Sequence, residues 1–260
     1  MRIVRFVHED EAPSYGVIQG DPGEEWIAAV AGDPLYTQVT GTGQRFELDQ
    51  VRLVAPVLPR SKVIGVGRNY ADHAAELGNE VPAQPGLFFI PNTAVAGPDD
   101  PVVIPPFVEE VSFEAELAVV IGTMCKDVPA ARAMDVIFGY TCANDVTARD
   151  LQKTDLQWAR AKGLDTFCPL GPWIETDLDP SALAVRSRVD GELAQDGATS
   201  DMVFDVAALI EYVSAAFTLL PGDVILTGTP AGVGSVWAGQ RVEIEIEGIG
   251  AFSNPFVRRD

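Results

Sequence analysis

Cysteine, histidine and basic residues are all scarce in this chain, and each shortage narrows what it can be. There are three cysteines, Cys125, Cys142 and Cys168. The number is odd and no Cys-x-x-Cys occurs, so neither a disulfide framework nor a thiolate zinc site is expected, and the three are read as buried thiols. There are two histidines, His8 and His73, in separate segments. That count excludes a multi-histidine metal centre and leaves oxygen ligands for any ion, which suits Mg²⁺ or Mn²⁺ and, less readily, Ca²⁺. Lys and Arg total 18 against 38 Asp and Glu, a net charge of −20. No basic face for nucleic acid is available from such a balance, and anionic membranes are disfavoured too. No apolar run approaches the ~18 residues of a membrane span. The opening residues turn acidic at Glu9 and Asp10 before any apolar stretch develops, so no signal peptide is read there. The expectation is a soluble, cytoplasmic protein.

What is present is an ordinary globular composition of 260 residues, enough for one large domain with a small appendage. Residues 1–55 read as a small β-rich unit: Ile3, Val4, Phe6 and Val7 begin a strand, and Tyr15 to Ile18 supply its hairpin partner before a turn at Gly20-Asp21-Pro22-Gly23. Ala55-Pro56 and Leu58-Pro59 mark a boundary, with residues 56–260 as the second domain. In it, 62–67 and 113–122 read as strands, 129–137 as a short helix, 139–146 as a strand and 241–247 as a half-exposed strand. Residues 205–217 form the clearest helix, with Val206, Leu209, Ile210, Val213 and Phe217 at helical spacing and Asp205 as N-cap. Residues 84–106, rich in Pro, Gly and Asn, read as a long irregular segment, either a lid or a surface connection. Strands outnumber helices without alternating regularly with them, which favours a sheet-dominated α+β fold.

Four short patterns carry chemistry. In Glu114-Ala115-Glu116, period-two alternation puts both carboxylates on one face while Phe113, Ala115 and Leu117 face apolar packing. Two neighbouring like charges repel, and in apolar surroundings a cation would hold them together. Asp145, in Asn144-Asp145-Val146-Thr147-Ala148-Arg149-Asp150, falls at a strand end where ligands gather, and reads equally as a helix cap. His73 and Glu76 share a helical face. A carboxylate behind an imidazole suits a general base, and the same spacing serves a surface ion pair. Thr227 to Gly234, Thr-Gly-Thr-Pro-Ala-Gly-Val-Gly, lets backbone N–H groups and the Thr229 hydroxyl approach an anion, and otherwise is a plain turn. Read alone, each has the blander meaning.

Read together, they resemble one family. Gly67-Arg68-Asn69-Tyr70-Ala71-Asp72-His73-Ala74-Ala75-Glu76 is similar to the Gly-x-Asn-Tyr-x-x-His-x-x-Glu signature of the fumarylacetoacetate hydrolase family. Phe113 to Leu117, Asn144 to Asp150, Trp158-Ala159-Arg160-Ala161-Lys162 and Leu226 to Gly234 match its later motifs in order, from about residue 56 onward. The resemblance implies a mixed β-sandwich roll, usually a homodimer, with one divalent cation held by Glu114, Glu116 and Asp145. It implies His73 and Glu76 as the water-activating dyad. Arg149, Gln152, Lys162 and Thr229 would hold the oxygens and carboxylate of a small anionic 2-oxo or dioxo acid, with Lys162 also stabilising the enolate left by cleavage. The cation and these basic side chains would make a positive pocket inside an acidic shell. The favoured reaction is hydrolytic C–C cleavage of an acylpyruvate- or fumarylpyruvate-like acid. The same site in relatives serves oxaloacetate-type decarboxylation, or isomerisation of a 2-hydroxyhepta-2,4-diene-1,7-dioate-type acid in aromatic catabolism. A non-catalytic metal- or acid-binding protein is the remaining alternative. One position departs: where many relatives carry Lys before the proline of the 84–106 segment, Ile90 stands here, which leaves the metal ligands intact but removes any contact that lysine would make.

Overall fold

The structure is a computed structural model, and it describes residues 1–9, 11–21, 23–76, 78 and 80–259. Pro22 of the expected turn and Leu77 at the end of the expected helical turns lie outside the described residues. A twelve-stranded mixed sheet forms the backbone of the molecule. Its main path runs 41–47, 26–30, 14–19, 2–8, 168–175, 137–144, 115–121, 224–226, 63–67 and 86–90. A five-stranded sheet (192–198, 184–189, 241–246, 250–258, 102–104) packs against one face, and strands 147–148, 111–113 and 234–235 form a small three-stranded sheet. The sheet-dominated α+β expectation holds. No helix among the described residues is long and apolar enough to cross a membrane.

The strand Ala115–Ile121 shows how sequence alternation builds these layers. Ala115, Leu117, Val119 and Ile121 enter the main core, where Val185, Val242, Ile244 and Phe256 of the five-stranded sheet also sit. Ala118 and Val120 face the opposite way, into a second core with Val63, Ile90 and Val224. Each fully buried aliphatic side chain contributes roughly 1.5–3 kcal/mol. The strand is thus apolar on both faces, except where Glu114 and Glu116 extend the even-numbered series.

The first strand, Arg2–His8, pairs antiparallel with Ser14–Gln19 as expected, but its other edge pairs with Cys168–Glu175, in register Arg2↔Glu175 and Ile3↔Ile174. The hydrogen-bonded sheet therefore runs without interruption across the punctuation at residues 55–59, although Val4, Phe6, Ile18, Ile27 and Ala29 keep a small core of their own.

The helix Val206–Ala216 is where periodicity placed it, and the Asp205 carboxylate accepts from the Ala208 N–H at 2.8 Å. Residues 130–136 form a 3₁₀ helix. The irregular reading of 84–106 needs correction. Gly86–Ile90 is an edge strand paired antiparallel with Val63–Gly67. Phe88 lies flat over Gly65, where any side chain would collide with its ring. Ile90 is 2% exposed and belongs to the second core.

Candidate active site

The chain leaves the three-stranded sheet at Phe113 and enters the large sheet at Ala115, so Glu114 sits at the crossing. There its N–H donates to Asn144 Oδ1 at 3.0 Å, and its carbonyl accepts from the Asp145 N–H at 2.9 Å. These two bonds place Asp145, just past the strand Ile137–Asn144, beside the Glu114–Glu116 segment. The result is three carboxylates, each at most 5% exposed, with one ligand atom from each within 4.8 Å of the others.

Two cations come from the following short helices. Lys162, 3% exposed, reaches Glu114 Oε2 and Asp145 Oδ2, both at 2.7 Å. Arg149, 6% exposed, donates to Glu114 Oε1 at 2.6 Å and to Gln152 Oε1 at 2.9 Å. Glu116 touches neither cation. Its Oε2 accepts instead from the Gly228 N–H at 2.7 Å.

The carboxyls are driven apart by these surroundings. Burial pushes Glu114 up, but Lys162, Arg149 and then His73 outweigh it and bring it down to about 2. Burial followed by the charges of Asp145 and Glu114 drives Glu116 well above the usual carboxylate range. Burial also raises Asp145, to about 6, against the pull of Lys162. Such a cluster is short of positive charge at Glu116.

A divalent ion fits this donor set. Asp145 Oδ1 is buried and has no hydrogen-bond partner, and an unsatisfied carboxylate oxygen there is otherwise costly. The donors are all carboxylate oxygens, as hard cations require.

His73 lies on the helix Ala71–Glu76, 5% exposed, with Nδ1 3.2 Å from Glu76 Oε2. Glu76 in turn accepts from the Gly232 N–H at 3.2 and 3.3 Å. A proton on Nδ1, facing the carboxylate, leaves Nε2 as the basic nitrogen. A cavity of about 260 Å³ is lined by His73, Glu114, Glu116, Asp145, Arg149, Gln152, Lys162 and Thr229. Eight of the nine residues singled out from the sequence thus share one cavity, and the ninth, Glu76, stands behind His73. Their arrangement brings three carboxylates, an imidazole backed by a carboxylate and two buried cations into one small volume.

Some cavity-lining side chains carry no role in the sequence reading, although Arg68 and Trp158 fall inside its motifs. Phe88 and Trp158 form an apolar wall, with ring centroids 5.5 Å apart, and Lys162 Nζ lies 5.4 Å from the Phe88 centroid. Arg68 also lines the cavity, its guanidinium 5.9 Å from the Trp158 ring. Nothing in a lone Phe or Trp marks these in advance, since aromatics fill cores everywhere. The Thr229 hydroxyl is engaged on both sides, donating to the Ala115 carbonyl at 2.8 Å and accepting from Gln195 Nε2 at 2.7 Å.

This fold agrees with what comparison to known proteins finds. The profile of the fumarylacetoacetate (FAA) hydrolase C-terminal family matches residues 62–257, and that of the Rv2993c-like N-terminal family matches residues 1–56. The chain therefore belongs to the fumarylacetoacetate hydrolase family. It is 54% identical to Protein Rv2993c of Mycobacterium tuberculosis, over 100% of this chain and 99% of that one. Among solved structures it is similar to a 5-carboxymethyl-2-hydroxymuconate delta-isomerase from Mycobacterium smegmatis, with 50% identity, TM-score 0.92 and complete coverage of both chains. It is also similar to maleylpyruvate hydrolase from Sphingobium sp. SYK-6, solved with manganese(II) and pyruvate, with 34% identity, TM-score 0.81 and complete coverage of both.

Proposed function

We propose that this protein is a divalent-metal-dependent enzyme that hydrolyses a C–C bond in an acylpyruvate- or fumarylpyruvate-like dioxo acid. One observation carries the reading: the His73–Glu76 pair opens onto the same cavity as the Glu114–Glu116–Asp145 cluster. The three carboxylates would hold Mg²⁺ or Mn²⁺, which when bound supplies Lewis-acid polarisation of a substrate carbonyl and its neighbouring carboxylate.

The chain's own groups do the rest. Arg149, steadied by Gln152, and Lys162 offer positive charge to substrate oxygens as negative charge develops on them. Thr229, its hydroxyl already bonded, would offer its main-chain N–H to an anion. Phe88 and Trp158 keep bulk water from one side of the cavity. Glu76 orients His73 so that Nε2 takes a proton from a water. The resulting hydroxide adds to the distal carbonyl, the C–C bond breaks, and the pyruvate-type product recovers a proton at carbon. Among the described residues, those of 1–55 supply none of the cavity lining, and 1–55 is read as a small N-terminal domain on the catalytic domain 56–260. The reading extends to a homodimer, the assembly expected from the motif resemblance.

A second reading is a proton shift on an unsaturated dioic acid, with His73 moving a proton between substrate carbons. The isomerase that is 50% identical over the whole chain favours it. The test is purified protein with Mg²⁺ or Mn²⁺ against acetylpyruvate, oxaloacetate and a hydroxymuconate-type dioic acid. Pyruvate release from acetylpyruvate supports hydrolysis, and conversion of the dioic acid alone supports the proton shift. Metal binding without turnover of any of the three contradicts both.

A further inference from the structure

Gln195 lies in the strand Glu192–Ala198 of the five-stranded sheet, is fully buried, and belongs to no motif quoted above. Its amide uses all of its hydrogen-bonding capacity that a buried site can satisfy. Oε1 accepts from the Ala115 N–H and from Ser187 Oγ, both at 2.9 Å. Nε2 donates to Thr229 Oγ1 at 2.7 Å and to the Pro230 carbonyl at 2.8 Å. The orientation of the amide is fixed by its partners: a backbone N–H only donates and a carbonyl only accepts, so the group cannot flip.

Ala115 is the residue between the two glutamates. Its neighbour strand on one side, Ile137–Asn144, is paired through Ala115↔Asn144. On the other side the strand Val224–Leu226 pairs only as far as Ala118↔Leu226, and Thr227 carries the contact one step on, to Leu117. At Ala115 the ladder has run out. Its N–H and carbonyl are met instead by side chains, Gln195 Oε1 and Thr229 Oγ1, standing where a strand would have continued. Fixing that residue fixes the directions in which Glu114 and Glu116 leave the backbone.

The same amide grips the turn that supports the dyad. Pro230 and Thr229 are held by Nε2, and Pro230 packs on Gly197 of the Gln195 strand. Two residues on, the Gly232 N–H is the group that holds Glu76. Gly232 has φ +96° and lies so close to the Ala194 carbonyl that a side chain there would collide. A continuous series of contacts thus runs from the metal-facing carboxylates through Ala115, Gln195, Pro230 and Gly232 to Glu76 and His73.

We infer that Gln195 is a positioning residue that sets both halves of the site, the carboxylate cluster through its oxygen and the His73–Glu76 dyad through its nitrogen. This rests on the function proposed above. It predicts that the two ends of the amide can be separated. Gln195→Glu keeps acceptors for Ala115 and Ser187 and retains at most one of the two donors. Gln195→Met loses all four bonds at similar volume. Supporting groups around metal sites change affinity or activity by about 10- to 100-fold. Gln195→Glu is expected to keep its Mn²⁺ affinity within about 3-fold of wild type while kcat falls by about 10-fold or more with KM less affected, a change of the size outer groups produce. Gln195→Met is expected to weaken Mn²⁺ binding by about 10-fold or more and to alter the electron paramagnetic resonance signal of the bound ion. Ser187→Ala, which leaves the amide its other three partners, is expected to match wild type.

A measurement on the unaltered protein covers variants that do not fold: hydrogen exchange of wild type with and without Mn²⁺. Segment 192–198, which contains no proposed ligand, is expected to exchange more slowly with the ion bound, together with 113–117. Protection of 113–117 with no change at 192–198, or Gln195→Met binding Mn²⁺ and turning over as wild type does, overturns this inference and leaves the proposed function standing. A wild type that binds no Mn²⁺ overturns both.

Discussion

Glu116→Gln separates the ion-binding role of the cluster from its effect on the metal-free fold. The amide keeps an oxygen for the Gly228 N–H, so the backbone contact survives. In the metal-free protein Glu116 is raised by burial and then by Asp145 and Glu114, so its negative charge opposes folding at pH 7. The neutral amide removes that opposition, and the metal-free variant is expected to melt at or above the wild-type temperature. With the ion the order reverses. Metal at 100 times its Kd stabilises the wild type by about 2.7 kcal/mol. At roughly 2–4 °C per kcal/mol for a chain of this size, that is a rise of about 5–11 °C. Even outer groups cost 10- to 100-fold in metal affinity, so loss of a direct ligand is set at about 100-fold. The same metal concentration then equals the variant's Kd and yields about 0.4 kcal/mol, a rise of only about 1–2 °C. Thermal melts with and without MnCl₂ read both effects. A variant that keeps the full rise shows that Glu116 is not a ligand, and one that melts several degrees lower without metal refutes the electrostatic account.

Other outcomes follow from the same structure. His73→Ala is expected to lower kcat by about 10²- to 10⁴-fold while Mn²⁺ binding by calorimetry stays unchanged, and full activity would remove His73 as the base. Asp205→Ala deletes the bond to the Ala208 N–H and is expected to cost about 1 kcal/mol, seen as a melting point about 2–4 °C lower. An unchanged melting point would show the cap to be idle. Burial raises the thiols of Cys142 and Cys168 above the ordinary value of 9.0, so they stay protonated in the folded state where the unfolded chain ionises. The fold binds the extra protons, and stability is expected to fall by about 1.4 kcal/mol per pH unit per thiol as the pH rises past about 9. Urea titrations at pH 8 and pH 10 check the sign, and a gain in stability would contradict it.

The site was legible where chemistry and periodicity coincide in a short stretch. Alternation alone put Glu114 and Glu116 on one face and Leu117 on the other, and the cores divide that way. Asp205 announced its helix by residue type and spacing. What remained hidden depends on contacts remote in the chain. The strand Gly86–Ile90 was masked by the prolines and glycines around it, because only its partner Val63–Gly67 gives it a ladder. The pairing of Arg2 with Glu175 leaves no local mark in either segment. Gln195 lies outside every quoted motif, and its burial comes from Ala115, Ser187, Thr229 and Pro230 converging on it. Thr229 was expected to turn its hydroxyl to substrate, whereas the hydroxyl completes the ladder at Ala115.

The central claim is that Glu114, Glu116 and Asp145 together bind one divalent ion. An anomalous difference map from crystals of the protein grown with Mn²⁺ tests it most directly. The account predicts a single strong peak bounded by carboxylate oxygens of all three residues, within the cavity that His73 lines. Crystals saturated with Mn²⁺ that show no peak there, or show it elsewhere while Lys162 alone bridges Glu114 and Asp145, would contradict it.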